Sequence, residues 1–69
     1  MNTNRTLNKG QKIYFNTGNV YKVLRVEKHG YTFIEYDNNG LKKNATPYFD
    51  EQWLNYMLLE NKVSIEFNK

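Results

Sequence analysis

The chain has 69 residues, no cysteine, a single histidine and a net charge of +3. That length makes one domain with a small core. The composition excludes a disulfide framework and a Cys/His zinc site, and no apolar run nears the ~20 residues that a membrane-crossing helix needs. Stability must then come from packing or from oligomerisation. The aromatic content of 16% supplies the means, because each large ring buries on the order of 150–250 Å2.

Residues 1–9 hold almost no apolar side chains and read as a flexible N-terminal arm that only Leu7 could anchor. The arm has no apolar segment of a secretory signal, so the expected compartment is cytoplasmic, with no membrane partner. One domain is expected over residues 10–69. Gly10, Thr17-Gly18-Asn19, His29-Gly30 and Asn38-Asn39-Gly40 punctuate its first part at intervals of about 8 to 12 residues, the strand spacing of a small antiparallel β-protein. Lys12 to Asn16 alternates, with Ile13 and Phe15 on one face and Tyr14 on the other. In Val20 to Lys28, Tyr21, Val23, Arg25 and Glu27 share one parity. The adjacent apolar pair Val23-Leu24 predicts a β-bulge or strong bend, the device by which small barrels close. Tyr31 to Asp37 forms a third strand, with Tyr31 and Phe33 on one face and Thr32, Ile34 and Tyr36 on the other.

Asn39-Gly40 is the preferred dipeptide of a type I′ hairpin. A two-residue loop there sets Asp37 opposite Lys42 and makes Leu41 to Ala45 a returning strand. Thr46-Pro47 then reads as a helix start. Phe49, Trp53 and Met57, with Leu54 and Leu58 one residue behind, form an apolar stripe on a helix spanning about 47–60. Asn61 suits a left-handed terminator, and Val63 to Phe67 alternates as a last strand.

The catalytic signals are absent. Ser64 has no histidine nearby in the sequence, adjacent Asp50 and Glu51 do not face one another on a helix, and the four glycines are too far apart to cradle a phosphate. The expectation is a non-enzymatic protein without cofactor or metal.

Two binding readings remain. Residues 1–34 carry six basic residues against one acidic, a net +5, whereas residues 35–69 carry four against six, a net −2. A basic half suggests an anionic partner, nucleic acid or a nucleoprotein complex. Lys12, Tyr14, Tyr21, Lys22, Arg25 and Lys28 interleave rings with cations, the ingredients with which small β-barrels bind single-stranded nucleic acid. In this reading Tyr14 points outward and Tyr21 shares a face with Arg25. The second reading is a protein interface, as an adaptor, an inhibitor or a homodimer. It rests on the surplus of large side chains around the helix, with Tyr48, Trp53, Tyr56 and Leu59 as its candidates.

The runs Gly10-Gln-Lys-Ile-Tyr-Phe15, Val20-Tyr-Lys-Val-Leu-Arg-Val26 and Gly30-Tyr-Thr-Phe-Ile-Glu-Tyr36 together resemble the opening of an SH3-like barrel of the KOW or Tudor sort. The resemblance covers less than half of the chain. It implies a short strand, a longer bent second strand and a third that pairs back. It also implies binding of RNA, DNA or peptides by loops and one barrel face. Such barrels usually carry a one-turn 3₁₀ helix before the final strand, where this chain has the pattern of a full α-helix. In style, a small Asn/Lys-rich chain without cysteine also resembles proteins of phages and other mobile elements. The expected fold is mainly β (α+β): a small SH3-like antiparallel barrel of 4–5 strands with one α-helix before the last strand.

Overall fold

Three strands form where turn spacing and alternation place them: β1 (Lys12–Phe15), β2 (Val20–Val26) and β3 (Gly30–Tyr36). They belong to a computed structural model that describes residues 7–65. Two short strands follow, β4 (Tyr48–Asp50) and β5 (Val63–Ile65), with helix α1 (Glu51–Leu59) between them. The five strands pair antiparallel in the order β4-β3-β2-β1-β5. The last strand therefore returns beside the first, and the sheet curls into a half-barrel, compatible with an SH3-like fold, with the helix before the final strand. No helix among the described residues is long and apolar enough to cross a membrane.

The expected bend in β2 is present. Val23 pairs with Phe33 but Arg25 pairs with Thr32, so Leu24 is an extra residue in the β2 ladder. Such a bulge increases local twist and bends the strand. The concave side holds the core of Leu7, Ile13, Val23, Tyr31, Phe33 and Leu54. Phe33 sits at its centre, with the rings of Tyr21, Trp53, Tyr31 and Phe49 at 5.4, 6.0, 6.0 and 6.3 Å. Phe49 and Trp53 stack at 4.1 Å. Each such pair adds roughly 0.5–1.5 kcal/mol beyond its burial, which is how so short a chain builds a core without staples.

Leu7 is only 1% exposed, and its backbone N–H donates to the Tyr31 hydroxyl at 3.1 Å. The segment after it is tied by Gln11 N–H to Asn8 O (3.0 Å) and by Gly10 N–H to Val23 O (2.8 Å). The arm expected over residues 1–9 otherwise falls, for residues 1–6, outside the described residues.

Four local expectations are corrected. Asn39 does not adopt positive φ; among the described residues only Asn61 and three glycines do, Gly40 at 85° being one. Asp37 organises the turn instead. Its carbonyl accepts from Gly40 N–H, and its side chain accepts from both Asn39 and Leu41 N–H, each at 2.9 Å. Asp37 N–H in turn donates to Leu41 O. The loop is thus three residues long with Gly40 left-handed, a common alternative to the two-residue turn. Lys42 comes to face Tyr36 rather than Asp37.

Residues 41–45 make no strand beyond that single bridge. They are exposed and offer only Leu41 and Ala45 as apolar side chains, so no inward row fastens them. Tyr48–Asp50 pairs with β3 in their place.

The helix starts at Glu51 rather than near Pro47, because Asp50 is the N-cap, its carboxylate accepting from Trp53 N–H at 2.9 Å. Thr46-Pro47 lies outside the helix, and Pro47 O accepts from Phe33 N–H at 2.8 Å. At the other end Asn61 is the left-handed terminator (φ 58°). Lys62 N–H reaches Met57 O and Asn61 N–H reaches Leu58 O, the paired bonds of a Schellman stop.

Gly30 is not a turn glycine. It begins β3, buried opposite Asp50. A Cβ there would meet Phe49 O at 2.4 Å and Asp50 Cα at 2.6 Å. Only glycine lets β4 approach this closely.

Candidate functional site

The convex face of the sheet carries the side chains that alternate away from Ile13, Val23 and Phe33. Register places Lys12 directly opposite Lys22, and Tyr14 opposite Val20. Val20 is opposite Tyr36, and Lys22 opposite Ile34. Lys42 faces Tyr36 from the far side. Lys12, Tyr14, Val20, Lys22, Tyr36 and Gly40 line one open groove of ≈ 330 Å3. No carboxylate is among those lining residues, and no ion pair to Lys12 or Lys22 occurs among the described residues. Like charges directly opposite on paired strands destabilise a sheet. Lys12 and Lys22 stand in that relation, and an anion between them relieves it.

Of the six residues read as an aromatic-basic face, the groove gathers Lys12, Tyr14 and Lys22. It adds Tyr36, with Lys42 flanking it. Both fall outside that reading, although Tyr36 lies on the opposite parity to Tyr31 and Phe33 and alternation alone turns it outward. Tyr21 is a correction. It lies on the concave side, 4.6 Å from Phe15 and 5.4 Å from Phe33 between ring centroids. The bulge at Leu24 separates it from Arg25, which pairs with Thr32, a buried residue of the convex row. Arg25 is also charge-balanced: its Nε donates to Glu27 Oε2 at 3.2 Å. Glu27 accepts from the Thr32 hydroxyl at 2.8 Å as well. That hydroxyl first, and then Arg25, hold the Glu27 carboxyl below the usual carboxylate range. Lys28 is exposed in the turn after β2, six residues beyond Lys22.

The Tyr21 phenol is pushed above its ordinary value, first by burial and then by the charge of Glu35 and a hydrogen bond to it. The unfolded chain gives up this proton near pH ~10, whereas the folded chain still holds it. Stability is therefore full below that pH and falls as pH rises toward the folded value. Titrating tyrosinate absorbance should show a late-ionising tyrosine that disappears in Tyr21→Phe; an unchanged late step in that variant contradicts the assignment.

The residues of the expected protein interface lie on two elements, β4 and α1, and differ in exposure. Trp53 turns inward and stacks on Phe49. Tyr48 lies on β4, and only Tyr56 and Leu59, at 54% and 79% exposure, share the outer side of α1. A second hollow of ≈ 280 Å3 is lined by His29, Asp50, Glu51 and Gln52, but Asp50 is already engaged as the helix cap. Among the described residues no three of His, Cys, Asp and Glu gather as metal ligands would. Compared with protein families, with curated proteins and with solved structures, the chain finds no match in any of the three.

Proposed function

We propose that this chain is a non-enzymatic binding module that takes single-stranded nucleic acid in the groove between Lys12, Tyr14, Lys22 and Tyr36. The observation that carries the reading is the facing pair Lys12 and Lys22, flanked by two tyrosines, with no carboxylate among the described residues that line the groove. Lysines seat phosphates, and rings accept unpaired bases whatever their sequence. Within SH3-like barrels this favours a KOW-like use of the sheet face. A Tudor-like cage needs several rings about one pocket, and the groove has two.

Fluorescence polarisation with a labelled oligonucleotide tests the reading. Binding is expected at low salt. Tyr14→Ala and Tyr36→Ala should each weaken it by the value of one base stack, about 1–3 kcal/mol. No polarisation change at low salt overturns it.

A second reading, a protein interface, is favoured by Tyr56 and Leu59 lying three residues apart on α1 and both exposed. It calls for self-association in light scattering that Leu59→Lys abolishes while oligonucleotide binding persists.

A further inference from the structure

We propose that a strand bound in the groove continues along β3 to Tyr48, whose ring is a second stacking platform at the other end of the convex face. The proposal rests on the reading that this face takes single-stranded nucleic acid.

Tyr31 and Phe33 are buried on the concave side, so the convex row of β3 runs Tyr36, Ile34, Thr32. Thr32 is the cross-strand partner of Tyr48. Directly opposed residues share a face, so Tyr48 leaves β4 on the same side as Tyr36. Its ring does not stand away from the sheet. The Tyr48 hydroxyl lies 2.8 Å from where a Cβ on Gly30 would be, two residues along β3 from Thr32. The ring therefore lies along the strand over the glycine, and Tyr48 is still 51% exposed. A ring with one side on the sheet and the other open is the geometry an unpaired base stacks on.

Four residues along β3 and one strand across put the Tyr36 and Tyr48 backbones about 14 Å apart. Ile34 lies between them, with Lys22 beside it. The ground near Tyr48 is charge-balanced by Arg25 and Glu27. Phosphate contacts therefore concentrate at the groove, and Tyr48 takes a base.

The test uses labelled oligothymidylates of about two and about 16 nucleotides, the shorter unable to span the ~14 Å to Tyr48 and the longer at the upper end of the usual range of site sizes. Tyr48→Leu keeps apolar cover over Gly30 and removes the ring; Tyr48→Phe keeps the ring. Tyr48→Leu should weaken the long oligonucleotide by roughly 5- to 150-fold, one lost stack, and leave the short one unchanged. Tyr48→Phe should bind both as the parent does. An unchanged long-oligonucleotide affinity in Tyr48→Leu, with Tyr14→Ala still weakening both, overturns the track and leaves the groove standing. Equal losses on both lengths, or a change in the far-ultraviolet circular dichroism of both variants, assign Tyr48 to the fold and also overturn it. If the parent protein binds neither oligonucleotide, the underlying reading fails and the track with it.

Discussion

Leu7→Ala should destabilise the protein by about 2–5 kcal/mol, the cost of truncating a fully buried leucine. A domain of this length holds in total only roughly 0.05–0.15 kcal/mol per residue, so one substitution near the start removes much of the folded population. The reason is position. Leu7 is 1% exposed within the core, and its N–H donates to the Tyr31 hydroxyl. Losing the side chain opens a cavity beside Tyr31 and loosens the segment that leads into β1. Urea denaturation followed by Trp53 fluorescence measures the effect. Its size also separates two accounts of the first residues: an arm that merely precedes the domain predicts a midpoint shift near zero. A shift worth less than about 1 kcal/mol contradicts the core role.

Gly30→Val should be at least as severe. Even one methyl at this position meets the Phe49 carbonyl oxygen at 2.4 Å and Asp50 Cα at 2.6 Å. Both are backbone, so no side-chain rotation relieves them. The ordinary cost of overpacking is about 1–3 kcal/mol, occasionally more. Here β4 must also leave β3. That movement carries off the Tyr31–Phe49 pairing, the Asp50 cap and the bond from Glu51 N–H to His29 O. Hydrogen exchange should show residues 48–59 losing protection first, while β1 and β2 keep more of theirs. Gly30→Ala is expected to lie between parent and valine. An alanine variant as stable as the parent, with unchanged protection in β4, contradicts the close approach.

Much of this architecture is readable from residues alone, for physical reasons that differ by region. Strands β1 to β3 are bounded by turn signals, and β1 and β3 alternate, so spacing and parity point to one arrangement. The bulge is announced by the adjacent apolar pair Val23-Leu24. Parity run straight through the bulge puts Tyr21 and Arg25 on one face, whereas Tyr21 is half-buried and packs against the core on the concave side. Residues 41–50 are harder to read. Asn39-Gly40 and Thr46-Pro47 are strong local signals, but Asp37 takes the Asn39 and Leu41 N–H groups, and Asp50 caps the helix later, at Trp53 N–H, with Phe49 stacked on Trp53. A three-residue strand such as β4 has too few positions to show a period. At the site, Lys12, Tyr14 and Lys22 were visible from composition. Their meeting with Tyr36 and Lys42 depends on cross-strand register, which local patterns do not carry. From the sequence Tyr48 reads as part of a helix. Its place on the convex face follows from the strand that replaced the expected helix start.

The salt dependence of oligonucleotide binding tests the central claim most directly. Each phosphate neutralised on a single strand contributes about −0.7 to the slope of log affinity against log salt. If Lys12, Lys22 and Lys42 each take one, the parent slope is about −2. The double variant Lys12→Ala, Lys22→Ala removes two contacts and should flatten it to about −0.7, while Arg25→Ala, whose charge is already balanced by Glu27, leaves it near the parent value. A slope that stays the same in the double variant, or that falls as far in Arg25→Ala, contradicts a phosphate site between Lys12 and Lys22.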